Sequence, residues 1–224
     1  MSTLTSTTIA ELFVTRLYRA RLKSRGLKDF NARLLSVVDV LASDDGAGLA
    51  WSHENDYPGY TSYASLNDLA WRFPEFRSLQ TLLDQHVAAF AEALDLDLKD
   101  RPLVCDSLWV NVLDPGGHHG AHIHPNAVIS GTYYVSVPGG AGSIRFEDPR
   151  LSQFMAAPPR RKSGAPGNQP FATLAPREGD VLLWESWLRH EVLINKADAP
   201  RVSVSFNYAS SALPPARDEL GDEA

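Results

Sequence analysis

Hydrophobic positions along this chain change period near residue 100. Before it they recur every three to four residues; beyond it they alternate. Residues 28–100 therefore read as helical and residues 102–210 as strands. Asp29 predicts an N-cap, after which Phe30, Leu34, Val37, Val38 and Leu41 keep helical spacing until Asp44-Asp45-Gly46 stops them. A second helix is predicted from near Pro74, since proline suits a first helical turn, with Leu79, Leu82, Leu83, His86, Val87, Phe90 and Leu94 as its stripe. Turn-rich Tyr57-Pro58-Gly59-Tyr60 lies between them. Ahead of both helices, residues 11–18 predict a first strand.

From Pro102 the alternation puts Val104, Leu108, Val110 and Val112 on one strand face and Trp109 and Asn111 on the other. Further strands are predicted over 121–124, 129–137, 143–146, 181–184, 191–194 and 201–208. Pro and Gly punctuate the gaps, as in a β sandwich or barrel. Residues 147–170 hold five prolines and four basic side chains without periodicity. A stretch that long predicts a lid, a binding loop or a disordered segment. The organisation expected is one domain over 1–210, with helical support at 28–100, a β core at 102–210 and a flexible tail at 211–224.

Composition narrows the function classes. Of the 224 residues, 44% are hydrophobic and 21% charged, as in an ordinary globular chain. Lys plus Arg is 21 against 27 Asp plus Glu, a net charge of −6 that disfavours general nucleic-acid binding. Cys105 is the only cysteine, which excludes an internal disulfide and a cysteine zinc site and points to a reducing, cytoplasmic compartment. No apolar run reaches the roughly 20 residues of a membrane span. The Ser-, Thr- and Arg-rich start faintly resembles a transit peptide, but its apolar residues favour the strand reading. Arg16 arrives too early for a secretory signal. Oligomeric state is not legible, and a homo-oligomer stays open.

The chemistry concentrates in Gly116-Gly117-His118-His119-Gly120-Ala121-His122-Ile123-His124-Pro125. On a strand, His122 and His124 would point to one face, one pleat apart, where two imidazoles can share a metal ion. A third ligand must come from a distant strand, and His190 is the obvious donor. The competing reading is a polar strand face in water. His86, on a helical stripe, reads as a packed, hydrogen-bonded histidine. Downstream, Arg201, Ser203, Ser205 and Asn207 alternate with Val202, Val204 and Phe206. A guanidinium on the polar face of a β core calls for an anionic partner, which its planar fork grips with two hydrogen bonds. A solvated surface strand is the alternative.

Six motifs in this order complete the picture: Trp109-Val110-Asn111; Gly116-Gly117-His118 leading into His122-x-His124-Pro125; Ser130-Gly131-Thr132-Tyr133-Tyr134-Val135; Phe146-Glu147-Asp148-Pro149-Arg150; Trp184-Glu185-Ser186-Trp187-Leu188-Arg189-His190; and Arg201-x-Ser203 running into Ser205-Phe206-Asn207. On these the chain resembles the 2-oxoglutarate/Fe(II)-dependent oxygenases, in a bacterial branch of that superfamily. The resemblance implies a mainly β fold with packed helices, built on a double-stranded β-helix (jelly-roll) core. It implies Fe(II) and 2-oxoglutarate as cofactors, oxidative decarboxylation to succinate, and hydroxylation of a substrate. His122 and His190 match two of the usual ligands, while His124 stands where that superfamily places a carboxylate. Three neutral imidazoles would leave the full charge on the metal; Asp114, Glu147 or Asp148 are the alternatives, although none has the one-pleat spacing. Arg201 and Ser203 are the expected seat of the far carboxylate, with Tyr134 beside it and Asn111 contributing from the next strand.

Around this site, His118 and His119 are expected at the rim or behind the ligands, Trp109, Trp184 and Trp187 in the core, and Glu185 and Glu191 as carboxylates that are either structural or orient the histidines. The basic residues Arg150, Arg160, Arg161 and Lys162 either favour an anionic small-molecule substrate or simply keep a loop soluble. Two rivals stand beside the oxygenase. A cupin-type metalloenzyme shares the glycine and His-x-His opening, but positions 128 and 129 lack the glutamate its signature needs. A non-catalytic ligand-binding β barrel is the other.

Overall fold

The computed structural model describes residues 8–22, 26–99, 101–150 and 157–210. The expected tail at 211–224 lies outside them, as does part of the 147–170 stretch. Ten strands and four helices follow in the order β1 (Tyr18–Arg21), α1 (Leu27–Asp44), α2 (Gly46–Glu54), β2 (Gly59–Thr61), α3 (Leu69–Arg72), α4 (Pro74–Ala93), β3 (Leu103–Leu113), β4 (His119–His122), β5 (Ile129–Ser136), β6 (Ile144–Glu147), β7 (Phe171–Leu174), β8 (Asp180–Glu185), β9 (His190–Val192) and β10 (Arg201–Ser210). They form a six-stranded sheet, β1-β8-β5-β10-β3-β2, and a four-stranded sheet, β4-β9-β6-β7. Every strand pairing is antiparallel.

The larger sheet has two unlike faces. Leu108, Val110, Tyr133, Val204 and Phe206 turn outward and pack against Leu34, Val38 and Leu41 of α1 and Phe76, Leu79, Leu83, Val87 and Phe90 of α4. Apolar spacing of three and four along both helices creates the stripe that covers this face. Polar clips fix the helices: the Tyr133 hydroxyl donates to Asn31 at 2.6 Å, Asn31 donates to the Val135 carbonyl at 2.9 Å, and the Tyr208 hydroxyl donates to Asp84 at 2.6 Å. The other face meets the smaller sheet, where Tyr134, Leu182 and Trp184 pack on Ile144, Phe146 and Leu188.

Two glycines mark close approaches. Gly59 begins β2 at φ +127°, and a Cβ there would lie 2.1 Å from the Val112 carbonyl oxygen. Gly131 on β5 leaves room for the Phe206 ring, which a Cβ would meet at 2.5 Å. At the sheet edge, β1 is fastened to β8 by Asp180, fully buried, which accepts from Arg19 and Arg21 at 2.7 Å each and from the Arg177 N–H at 2.9 Å. Burial alone would raise the Asp180 carboxyl; these three donors outweigh it and hold the pKa below the usual value.

Several expectations are corrected here. The first strand forms over Tyr18–Arg21 rather than 11–18, because its register is set by pairing Tyr18 with Leu183 and by the Asp180 clasp. Helix α1 starts at Leu27 with Gly26 as its cap, so Asp29 sits inside the first turn, where its charge still suits the helix dipole. Asp44-Asp45-Gly46 ends α1, yet Asp45 at once caps α2 through the Gly48 N–H at 3.0 Å. The helical half is thus divided by α2 and by β2. Strand β4 stops at His122, leaving His124 two residues beyond it, and β7 forms over Phe171–Leu174, where the alternation predicts no strand.

Candidate metal and oxo-acid site

Three histidines from the β4–β9 pair of the smaller sheet and the turn after β4 converge. His122 closes β4, His190 opens β9, and the two residues are register partners. His124 follows on the turn after β4, where its backbone N–H donates to the Ser186 carbonyl at 3.0 Å. Ring centroids lie 4.4 Å apart for His122–His190, 5.0 Å for His124–His190 and 5.1 Å for His122–His124. One nitrogen of each falls within 4.8 Å of the others.

Hydrogen bonding decides which nitrogen that is. The Nδ1 of His122 faces the Gly120 carbonyl at 2.7 Å and that of His190 faces the Leu188 carbonyl at 2.9 Å. A carbonyl can only accept, so both Nδ1 atoms carry the proton. His124 Nδ1 lies 2.7 Å from Asn207 Oδ1 and 2.8 Å from Ser130 Oγ, and donates there. All three Nε2 lone pairs are left free, pointing inward. Nε2 of His122 and His124 are 3.2 Å apart, so the two lone pairs repel unless a cation lies between them. Metal–nitrogen bonds of about 2.1 Å at right angles place neighbouring nitrogens about 3 Å apart, which this spacing fits. Burial lowers His124 to about 4 and His190 to about 3, with neighbouring imidazoles adding to the effect, and it lowers His122 too. All three are therefore neutral near pH 7, as metal ligation requires.

The floor of the site is the inward face of β10. Arg201, Ser203 and Ser205 line a narrow chamber of 40 Å³ together with the three imidazoles, Asn111 and Trp184. Arg201 is 4% exposed and forms no ion pair among the described residues. Its guanidinium lies 4.9 Å from the centre of the Tyr134 ring. Ser203 is the register partner of both Asn111 on β3 and Tyr134 on β5. Three buried side-chain atoms among the described residues lack a hydrogen-bond partner: Arg201 Nε, the Tyr134 hydroxyl and Trp184 Nε1. Arg201 and Trp184 line the chamber, and Tyr134 packs against the Arg201 guanidinium. Leaving one such group unpaired costs about 1–3 kcal/mol, and more for a charge, so the cluster calls for a ligand rich in acceptors and negatively charged.

Other expectations divide. No carboxylate joins the metal-ready cluster among the described residues. Glu147 pairs with Arg189 at 3.3 Å and Asp148 with Arg150 at 2.9 Å. Glu185 and Glu191 do not orient the histidines; Glu191 binds Arg145, and backbone carbonyls and Asn207 hold the rings instead. Trp187 is 47% exposed rather than core, while Trp109 is buried yet lines the site. His118 is at the exposed rim, and His86 is packed with the Tyr18 hydroxyl at 2.8 Å. His119 leans on His122 at 4.5 Å, edge-on to Tyr57. The sequence pattern gave no sign of Tyr57, Thr132 or the Ser130–Asn207 pair that aims His124, because these meet only across strands.

Three imidazoles able to hold one cation, beside a buried guanidinium with no ion-pair partner among the described residues, fit a metal and oxo-acid site on a two-sheet scaffold. Residues 107–207 match the family model described as Putative 2OG-Fe(II) oxygenase. That segment contains all seven expected site residues, and over it the chain is similar to the 2OG-Fe(II) oxygenases. No curated protein matches the sequence. Solved structures share the fold. AviO1 from Streptomyces viridochromogenes Tue57 aligns with TM-score 0.60 at 16% identity, over 91% of this chain and 94% of that one. A Pseudomonas putida prolyl-4-hydroxylase aligns with TM-score 0.56 at 16% identity, over 87% and 93%. HygX from Streptomyces hygroscopicus, with nickel, 2-oxoglutarate and hygromycin B bound, aligns with TM-score 0.59 at 15% identity, over 89% and 84%.

Proposed function

We propose that this chain is a 2OG-Fe(II) oxygenase that hydroxylates a small molecule, with His122, His124 and His190 holding the iron and Arg201 seating the far carboxylate of 2-oxoglutarate. The observation that carries the reading is a buried arginine with no anion of its own, on the wall that the three imidazoles face. Eight strands support a double-stranded β-helix: β3 to β10 are distributed as β8-β5-β10-β3 in one sheet and β4-β9-β6-β7 in the other. Residues 1–210 then form one domain. A small-molecule substrate accords with the hygromycin B bound to HygX.

Iron and 2-oxoglutarate, once bound, would with O2 supply the oxidising chemistry, one oxygen atom going into succinate as carbon dioxide leaves and the other into the substrate C–H bond. The chain supplies position and dryness. Gly120, Leu188 and Asn207 fix the imidazole tautomers and aim the three Nε2 atoms. Arg201 offers its fork to the far carboxylate, and Ser203, one pleat away, donates a further hydrogen bond. Asn111 is held by Thr61, which donates to its Oδ1 at 3.0 Å, and itself donates to Ser205 at 3.0 Å, so it braces the floor. Tyr134 lies under the guanidinium; burial raises its pKa, so its hydroxyl stays a proton donor. With three neutral ligands, the dianionic cosubstrate is what neutralises the metal. A cupin has no use for Arg201. The test is conversion of 2-oxoglutarate to succinate by the purified protein with Fe(II) in air and no substrate added. Slow succinate formation is expected; iron binding without any turnover of 2-oxoglutarate would return the cupin reading.

A further inference from the structure

The wall beyond the metal site carries a second message, which rests on the oxygenase reading above and concerns what that enzyme acts on. Outside the imidazoles the chamber widens into a cavity of 460 Å³, within the size range of small-molecule sites. Its outer wall is a zigzag of aromatic rings contributed by the helical half. Trp51 of α2 meets Tyr63 edge to face at 6.0 Å, and Tyr63 meets Trp109 of β3 in the same manner at 5.3 Å. Trp109 in turn stands 6.0 Å from the His124 ring. The chain of rings thus runs from solvent, where Tyr63 is 51% exposed, inward to a metal-ready imidazole. Ile123, 48% exposed, and Pro125 face the same space from the turn after β4.

What is missing from this wall matters as much. No Asp, Glu, Lys or Arg lines the cavity among the described residues. The basic side chains at 160–162 are not part of it. Of its uncharged polar side chains, Thr61, Asn111 and Asn207 are already hydrogen-bonded within the protein, while Tyr63 and Asn126 are exposed. A carboxylate or phosphate entering here would shed its water and find no cationic partner in the wall. A cation would approach a site whose net charge, with the metal dication, the dianionic cosubstrate and Arg201 together, stays positive. A saturated sugar would bring more hydroxyls than the Tyr63 hydroxyl and the Asn126 amide can pair, against a wall otherwise made of Trp51, Trp109, Ile123 and Pro125.

We infer that the cavity selects an uncharged molecule bearing a flat, unsaturated ring, which packs against Trp109, Tyr63 and Trp51 and so presents a nearby carbon to the metal site. Offset and edge-to-face ring packing supplies the recognition. This replaces the basic loop as the feature that chooses the substrate.

The probe set is one ring with three charges, plus one saturated ring: 2-naphthalenemethanol, 2-naphthoate, 2-naphthylmethylammonium and methyl glucoside. Each is titrated, by quenching of tryptophan fluorescence and by equilibrium dialysis, into the full chain loaded with Mn(II) and 2-oxoglutarate. The expected order has naphthalenemethanol at least tenfold tighter than the other three. Tyr63→Ala weakens it about tenfold, while Tyr63→Phe, which keeps the ring, retains it. Because Tyr63 is half exposed, its truncation leaves folding readable by circular dichroism. Equal or tighter binding of naphthoate, the ammonium or the glucoside overturns the inference, as does a Tyr63→Ala protein that binds like the parent. Titration of 2-oxoglutarate itself, on the same sample, reports separately on the cofactor reading. Its failure alongside retained naphthalenemethanol binding would sink that reading and leave the ring site standing.

Discussion

The two faces of β10 come from the same ten residues and have opposite chemistry. Val202, Val204, Phe206 and Tyr208 pack outward under α1 and α4. Arg201, Ser203, Ser205 and Asn207 turn inward to the metal and oxo-acid site. The outward face has satisfied every demand within the chain. The inward face holds a buried guanidinium with no ion pair among the described residues and looks onto the facing Nε2 lone pairs of His122 and His124, both of which ligands would relieve. Stability and function are thus separated by one pleat, and the difference teaches that the inward face is built for a state the bare chain does not contain.

Substitutions on either side should therefore split in sign. Phe206→Ala removes a fully buried ring and should cost about 3–5 kcal/mol of unfolding free energy, read by urea denaturation, while any folded fraction still binds iron. Arg201→Met should do the reverse. It replaces an unpaired buried charge with an apolar chain of similar length, so the ligand-free protein should be as stable as the parent or more so. Its affinity for 2-oxoglutarate should fall by roughly 100-fold or more, the cost of leaving a buried carboxylate unpaired. If Arg201→Met were destabilised like Phe206→Ala, the guanidinium would be structural and the contrast between the faces would collapse.

Asn207→Ala sharpens the comparison at smaller scale. It removes the acceptor that aims His124, and losing such an outer partner weakens metal binding about 10- to 100-fold. Metal titration should show that loss with the folding transition nearly unmoved. The smallest effect belongs to the edge of the sheet, away from both faces. Asp180→Asn should lower stability by about 1–2 kcal/mol, since its arginines are partly exposed, and leave iron and 2-oxoglutarate binding unchanged. The Asp180 carboxyl is held below its ordinary pKa. Its contribution is therefore present above the unfolded value near 4 and is lost as pH falls through the lower folded value. Thermal midpoints of parent and variant should converge below pH 4, and a constant gap across acid pH would reassign the clasp.

Much of this was legible in residue order, for local reasons. Strict alternation along 201–207 displays both faces of β10, and His-x-His with a distant His190 displays the metal cluster. The spacing of Leu34, Val38 and Leu41 displays α1. What stayed hidden depends on pairing across distance. Asn207 meets His124 only because β10 lies beside β5 and the turn after β4. Strand β1 forms at 18–21 because β8 offers Asp180 there. Strands β2 and β7, three and four residues long, carry too few positions for a period to show. The aromatic wall needed α2, which the run Asp44-Asp45-Gly46 disguised as an ending.

The most direct test is an anaerobic titration of the Fe(II)-loaded protein with 2-oxoglutarate, followed by visible absorbance. The account predicts a charge-transfer band that saturates at one equivalent in the parent and fails to develop at the same concentrations in Arg201→Met. An iron-loaded parent that shows no spectral change, or an Arg201→Met protein that titrates like it, would contradict the pairing of imidazoles and guanidinium on which the function rests.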